Sequence, residues 1–247
     1  MEENRTIKKI IRNSIIFFVI VLIIAVIGLI ILKYHVEGEQ NMPFEISDML
    51  VVSTAEGYQT NQAKNVKWDM ELYQTNDVYL TIKKNKNYKK TETIKKVELR
   101  NFTIDKKPIV GDISLYLPKG TANTYDYKEK NKLQETITFD GDVKSDIENL
   151  KLANQGGTIL FRIVNKTGKQ YLSNEDVIKQ DGTLLKNANL SLEEVRMTIS
   201  FDLIIQLESD VSFVGKVTLV LPAGDIITQG ISSQDKNQIE DVIFKRE

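Results

Sequence analysis

The pattern of apolar and polar positions divides this chain unequally. Ser14 to Leu32 is a run of nineteen residues in which Ser14 is the only polar side chain. Almost everything after it alternates with a period of two. A helix rising 1.5 Å per residue needs about 20 apolar residues to cross a hydrocarbon core, so residues 14–32 are expected to be a transmembrane helix behind a basic tail, residues 1–13. The run is rich in β-branched Ile and Val. In water that weighs against a helix, but in lipid the backbone must bond to itself. A cleaved signal peptide has a shorter apolar region and a small-x-small cleavage site. Lys33-Tyr34-His35-Val36-Glu37-Gly38 offers no such site, which favours an uncleaved signal anchor.

Beyond the anchor, residues 33–45 read as a stalk, broken by Gly38 and Pro43. The rest reads as mainly β: two tandem, duplicated antiparallel β-sandwich domains over 46–139 and 140–229, then a C-terminal tail, 230–247. Strands are expected at Ile46–Thr54, at Trp68, Met70 and Leu72, and, after a turn at Thr75-Asn76-Asp77, at Val78, Leu80 and Ile82. Ala55–Asn65 reads as a loop. Val97, Leu99, Phe102 and Ile104 shift phase, as at a bulge. Further strands follow at Ile109–Leu117, Leu133–Phe139, Thr158–Val164, Val195–Leu207 and Val211–Val220. A turn at Lys166-Thr167-Gly168 and a hairpin over Val177-Ile178 and Leu184-Leu185 are also expected. The single outer helix is expected after Ser145, with Glu148 at the capping-box position and Gly156-Gly157 as its stop.

The case for duplication is one gap-free match. Val110-Gly-Asp-Ile-Ser-Leu-Tyr-Leu-Pro-Lys-Gly120 aligns with Val214-Gly-Lys-Val-Thr-Leu-Val-Leu-Pro-Ala-Gly224. Gly111 and Gly215 would mark bulges or close backbone approaches. Pro118-Lys-Gly120 and Pro222-Ala-Gly224 would be the turns that follow. The alternative is one fused sandwich to which both halves contribute strands.

Charge orients the anchor. Arg5, Lys8, Lys9 and Arg12 precede the span, and Glu37 and Glu39 follow it, so the positive-inside rule places the N-terminus in the cytoplasm and the bulk outside. The whole chain carries a formal net charge of -1, and residues beyond 33 carry 28 basic and 32 acidic side chains. Such a balance gives no reason to expect a nucleic-acid partner. There is no cysteine, which excludes disulfides, thiolate catalysis and Cys-based metal sites, and fits a bacterium that does not use disulfides.

Candidate chemistry is thin. His35 is the only histidine and lies in the stalk, so one chain holds neither a Ser-His-Asp triad nor a His-based metal site. Glu193-Glu194, or Asp202 with Glu208, are the carboxylates that a hydrolase could use, provided they face each other about 5–9.5 Å apart. Asp140, Asp142, Asp146 and Glu148 cluster, but Lys144 and Ser145 break the EF-hand spacing. No metal and no cofactor is expected. Two binding features remain. Residues 83–96 hold seven lysines against Glu92, and Lys83, Lys84, Lys89 and Lys90 are the candidates for contact with an anionic surface. Among tyrosines expected as exposed rings (Tyr58, Tyr73, Tyr88), Tyr125 and Tyr127 in a polar stretch are the best recognition pair. The expected function is noncatalytic: a single-pass envelope protein that binds another membrane or envelope protein in an assembly. A cell-wall polymer module is the alternative, and an envelope hydrolase comes third.

Overall fold

The computed structural model describes residues 2–35, 42–60, 62–119, 124–141 and 152–247. Helix α1 (Glu2–His35) extends well beyond the apolar run at both ends. Within it, the window Ile11–Ile30 is long and apolar enough to cross a bilayer, and none of that window is buried. A soluble core helix of this composition would be covered on at least one face. The exposure is consistent with a single-pass membrane anchor.

Ten strands follow among the described residues: β1 (Phe44–Gln59), β2 (Trp68–Lys84), β3 (Ile94–Lys106), β4 (Asp112–Tyr116), β5 (Ile137–Asp140), β6 (Gly156–Ser173), β7 (Met197–Leu207), β8 (Ser212–Leu221), β9 (Ser232–Asp235) and β10 (Phe244–Arg246). Among the described residues three short α-helices interrupt them, α2 (Thr183–Asn187), α3 (Leu192–Val195) and α4 (Ile226–Gln229), with a single 3-10 turn at Lys236–Gln238. The strands form two five-stranded sheets. Sheet A runs β4-β6-β2-β1-β9 and sheet B runs β10-β8-β7-β3-β5. Every pairing between them is antiparallel.

The division of strands between sheets does not follow the expected boundary at residue 140. Sheet A takes β1, β2 and β4 from one side of it and β6 and β9 from the other; sheet B is equally mixed. The two sheets also share a core. Val78, Leu80 and Phe161 of sheet A and Val97, Leu99, Phe201 and Leu219 of sheet B belong to one buried cluster. Phe161 stands edge-on to Phe201 across it, ring centroids 5.6 Å apart, a geometry that favours aromatic pairs by about 0.5–1.5 kcal/mol beyond their burial. Both sheets thus draw strands from the two halves of the chain and contribute to one buried cluster. Period-two alternation says which face of a strand is buried, and nothing about which strand lies beside it.

The matched segments also occupy unlike places. β4 is the edge strand of sheet A, whereas β8 lies between β7 and β10 of sheet B. Gly111 has φ +105°, and a Cβ there would sit 2.0 Å from Asn165 Oδ1. Gly215 lies inside β8, where a Cβ would meet Val242 Cγ1 at 2.5 Å and the Phe244 ring at 3.0 Å. Both sites are crowded, but by different partners: Asn165 and the Lys166 carbonyl at Gly111, two apolar side chains at Gly215. Pro118 follows β4, and Gly120 lies outside the described residues. Pro222 and Gly224 lead from β8 of sheet B towards sheet A, where Ala223 N donates to Ser53 Oγ at 2.8 Å.

Local expectations fail where polar residues sit inside strands. No turn occurs at Thr75-Asn76-Asp77: β2 passes straight through. Ser53 Oγ donates to Asn76 Oδ1 at 2.7 Å, and Asn76 Nδ2 donates to the Ile163 carbonyl at 3.0 Å, so the buried amide is satisfied within the sheet. Thr167 does the same in β6, donating to the Leu72 carbonyl at 2.6 Å, and the expected turn at Lys166-Thr167-Gly168 is absent. Ala55–Gln59 continues β1 rather than looping. Met42 and Phe44, assigned to the stalk, are fully buried. Ile109 is exposed and lies before β4, and Leu184-Leu185 lies in α2 rather than in a hairpin. The phase shift in β3 is real: the register slips between Arg100 and Thr103, and Asn101 adopts φ +56°. The outer helix expected after Ser145 begins outside the described residues, and its expected end is not helical: Gly156-Gly157, the expected stop, opens β6.

The strands of sheet A are long, and a second buried cluster covers part of them. Ala55, Met70 and Leu72 pack there against Leu184, Leu185, Leu190, Val195 and Ile226 from α2, α3, α4 and their connections.

Candidate functional site

The opposite face of sheet A gathers the unusual side chains. Alternation places Phe161 and Val78 inward, so their neighbours Arg162 and Asp77 point outward. Register sets two rows across the sheet. In one, Tyr116 of β4 stands opposite Arg162 of β6, which stands opposite Asp77 of β2. In the other, Asp112 faces Lys166, Lys166 faces Tyr73, and Tyr73 faces Glu56 of β1.

Arg162 is the centre of this patch. Its Nε and Nη2 donate to the two carboxylate oxygens of Asp77 at 2.6 and 2.7 Å. Nη1 donates to Glu56 Oε1 at 3.2 Å and to the Tyr127 hydroxyl at 3.0 Å. The Tyr127 hydroxyl in turn donates to Glu56. The guanidinium lies 4.0 Å from the centre of the Tyr125 ring, a cation–π contact. Tyr127 also packs against Tyr73 and Tyr116, with centroids 5.0 and 5.2 Å apart. Lys166 Nζ lies 5.3 Å from the Tyr116 ring centre, and Tyr58 lies 6.4 Å from Tyr73. Tyr125 and Tyr127 thus touch the fixed cation, and Tyr73, Tyr116 and Tyr58 extend outward from Tyr127 through ring contacts.

The electrostatics follow from that geometry. Burial works against the charge on Arg162, but the hydrogen bonds and charge of Asp77, with Glu56 behind them, outweigh it and raise its pKa. Burial raises the Glu56 carboxyl above its ordinary value, with Arg162 opposing and Asp77 adding to the rise. The Tyr125 hydroxyl is pushed up by burial and then by the charge on Asp77. Tyr73 is raised by burial and by its hydrogen bond to Glu71. Nothing here makes a tyrosine a ready nucleophile, because each shift disfavours the phenolate.

Tyr125 and Tyr127 therefore lie where residues 124–135 cross sheet A, half-buried rather than as exposed rings. Tyr73 is buried, and Tyr58 is 47% exposed at the rim. Arg162, Asp77, Glu56 and Tyr116 were not marked by sequence pattern. A lone arginine in an apolar strand is the one available signal, and it reads equally well as a wet-face residue.

The lysines lie elsewhere. Lys83 and Lys84 end β2, Lys89 and Lys90 follow in the connection to β3, and all four are exposed. None of them makes an ion pair among the described residues. Six residues of β2 separate Lys83 from Asp77, about 20 Å along the strand, so tyrosines and lysines form two surfaces.

The suggested carboxylate pairs do not converge. Glu194 caps α3, accepting from Ser191 N and Oγ, while Glu193 pairs with Arg196 at 2.7 Å. Asp202 lies within β7 and accepts from Asn101 Nδ2 at 2.7 Å. Glu208 lies beyond the end of β7, about 20 Å further along, too far for joint acid–base work. Asp140 ends β5, and Asp142, Asp146 and Glu148 lie outside the described residues. Among the described residues, no three His, Cys, Asp or Glu side chains gather to hold a metal ion. No family model, curated protein or solved structure matches this chain.

Proposed function

We propose that this is a single-pass, noncatalytic protein whose β body lies outside the cytoplasm and binds another membrane or envelope protein through the tyrosine-lined face of sheet A. The observation that carries this reading is the contact of Tyr125 and Tyr127 with Arg162, extended through Tyr116, Tyr73 and Tyr58 by ring contacts. Tyrosine and arginine are enriched where proteins bind one another, because rigid amphipathic rings give contact area at little entropic cost. Here the rings are already held by packing and by the guanidinium, so a partner would find them in place. Tyr58 and Glu56 form the open rim. Glu56 accepts from Tyr127 and Arg162 and, only partly buried, presents its carboxyl edge beside Tyr58.

The test is site-specific photo-crosslinking in native membranes. A photoreactive residue in place of Tyr58 is expected to trap one discrete protein, and the same group in place of Lys245, on sheet B, is not. Tyr58→Ala combined with Glu56→Gln should reduce co-purification of the trapped protein at least about tenfold, the loss expected for a small interfacial hot spot. Identical products from both positions, or none from Tyr58, would overturn the assignment.

A further inference from the structure

We propose that the connection between β2 and β3 is a membrane-facing surface, resting through its lysines on anionic headgroups of the bilayer that holds α1. This rests on the reading of α1 as a membrane span.

Three observations place it there. The first is strand direction. β1 starts where the chain arrives from α1, and β2 returns to that same end, so that Phe44 stands opposite Lys84 and Glu45 opposite Lys83. The second is a fixed attachment. Asn85 N donates to the Pro43 carbonyl at 2.9 Å, and Asn85 Nδ2 donates to the Met42 carbonyl at 3.0 Å. Both Met42 and Asn85 are buried, so the lysines move with the point where the chain joins the body. The third is reach. Six residues separate His35, the last of α1, from Met42. A chain that short spans at most about 25 Å even when fully extended. The opposite end of β1 lies about 50 Å further away, sixteen residues along a strand.

Charge supplies the attraction. Lys83, Lys84, Lys86, Lys89 and Lys90 occupy eight consecutive positions with no acid among them, and all five are exposed. Two described acids at this end are engaged: Asp210 pairs with Lys95 at 2.7 Å, and Glu92 accepts from Ser209 at 3.0 Å. Glu45 stands directly opposite Lys83. Exposed lysines held within a Debye length of an anionic surface are attracted to it, and salt weakens that attraction. A wall polymer could supply the same negative charge, but it would meet the far end of the body first. The lysines are at the near end.

The experiment uses the full chain, which has no cysteine, in nanodiscs of phosphatidylcholine alone or with added phosphatidylglycerol. A fluorophore on Asn87→Cys reports contact with lipids carrying a headgroup nitroxide, and one on Lys64→Cys, in the β1–β2 connection, serves as the distant control. Quenching is expected at position 87, only with phosphatidylglycerol, and reduced at least about threefold by high salt. It should be lost in Lys83→Glu/Lys84→Glu/Lys89→Glu/Lys90→Glu, while position 64 stays unquenched throughout. Equal quenching in both lipids, or quenching that survives charge reversal, would overturn the proposal. So would an unquenched position 87 whose emission responds to added polyglycerol phosphate, which would assign the lysines to a polymer. Failure of the chain to remain with the nanodiscs would instead refute the membrane span itself.

Discussion

Arg162 shows how one side chain can hold a surface together. Its side chain is 14% exposed and that of Asp77 is 19%, so the pair lies between a buried ion pair and a surface one. Removing one partner of a buried pair leaves an uncompensated charge and costs about 3–5 kcal/mol, whereas exposed pairs contribute about 0–1 kcal/mol. Arg162 also supports Tyr125 and Tyr127, so the cost of its loss belongs near the upper case. Arg162→Ala is expected to destabilise the body by about 3 kcal/mol, read as a fall in Tm of about 6–12 °C for a body of this size. Replacing Arg162 and Asp77 together by leucine should restore most of that, since two apolar side chains leave no orphan charge. Lys67→Ala, which breaks the exposed pair with Asp176, should change Tm little. If Arg162→Ala behaved like Lys67→Ala, the cluster would be ordinary solvated surface.

At the scale of elements, the sequence showed strands clearly and their ends poorly. The alternation of Val78, Leu80 and Ile82, and of Ile159, Phe161 and Ile163, marks the buried face because both sets contribute to the shared core. The same reading placed turns at Thr75-Asn76-Asp77 and Lys166-Thr167-Gly168, since polar clusters usually mark loops. Here the polar side chains bond across the sheet, and only a neighbouring strand reveals that. Strand partners were invisible for the same reason. Tyr125 and Tyr127 stand out in the sequence as two rings in a polar stretch, but the arginine that Tyr127 meets comes from a strand 35 residues away. Asn76 tests this account of buried polarity. Asn76→Ala removes the partner of the Ser53 hydroxyl and of the Ile163 carbonyl, and an unsatisfied buried group costs about 1–3 kcal/mol. A loss of about 2 kcal/mol in denaturant unfolding is expected, with faster amide exchange concentrated in β1, β2 and β6. A neutral substitution would mean that the chain tolerates an opening at this point, and that the continuous β2 is held by its flanks alone.

The whole molecule is a body and a tether, and its orientation decides which surface can meet which partner. The two sheets interleave strands from both halves of the chain, so the tyrosine face, the lysine connection and the C-terminal strand β10 all belong to one packed unit. If the body lies outside the cytoplasm, the lysines face the outer leaflet and the Tyr58 rim of the tyrosine face is open to envelope proteins. If it lies inside, both proposals change partner. The basic residues before the span, Arg5, Lys8, Lys9 and Arg12, favour the first arrangement, because lysines and arginines close to a span are retained on the cytoplasmic side. The absence of native cysteine makes the test direct. In intact cells stripped of wall, a membrane-impermeant maleimide should label Lys64→Cys on the body and leave Asn4→Cys on the tail unlabelled until lysis. Reversing Arg5, Lys8, Lys9 and Arg12 to glutamate should make the two labelling patterns converge, as the signal that sets orientation is lost. Labelling of Asn4→Cys before lysis in the unaltered chain would place the body in the cytoplasm and remove the envelope reading at its base.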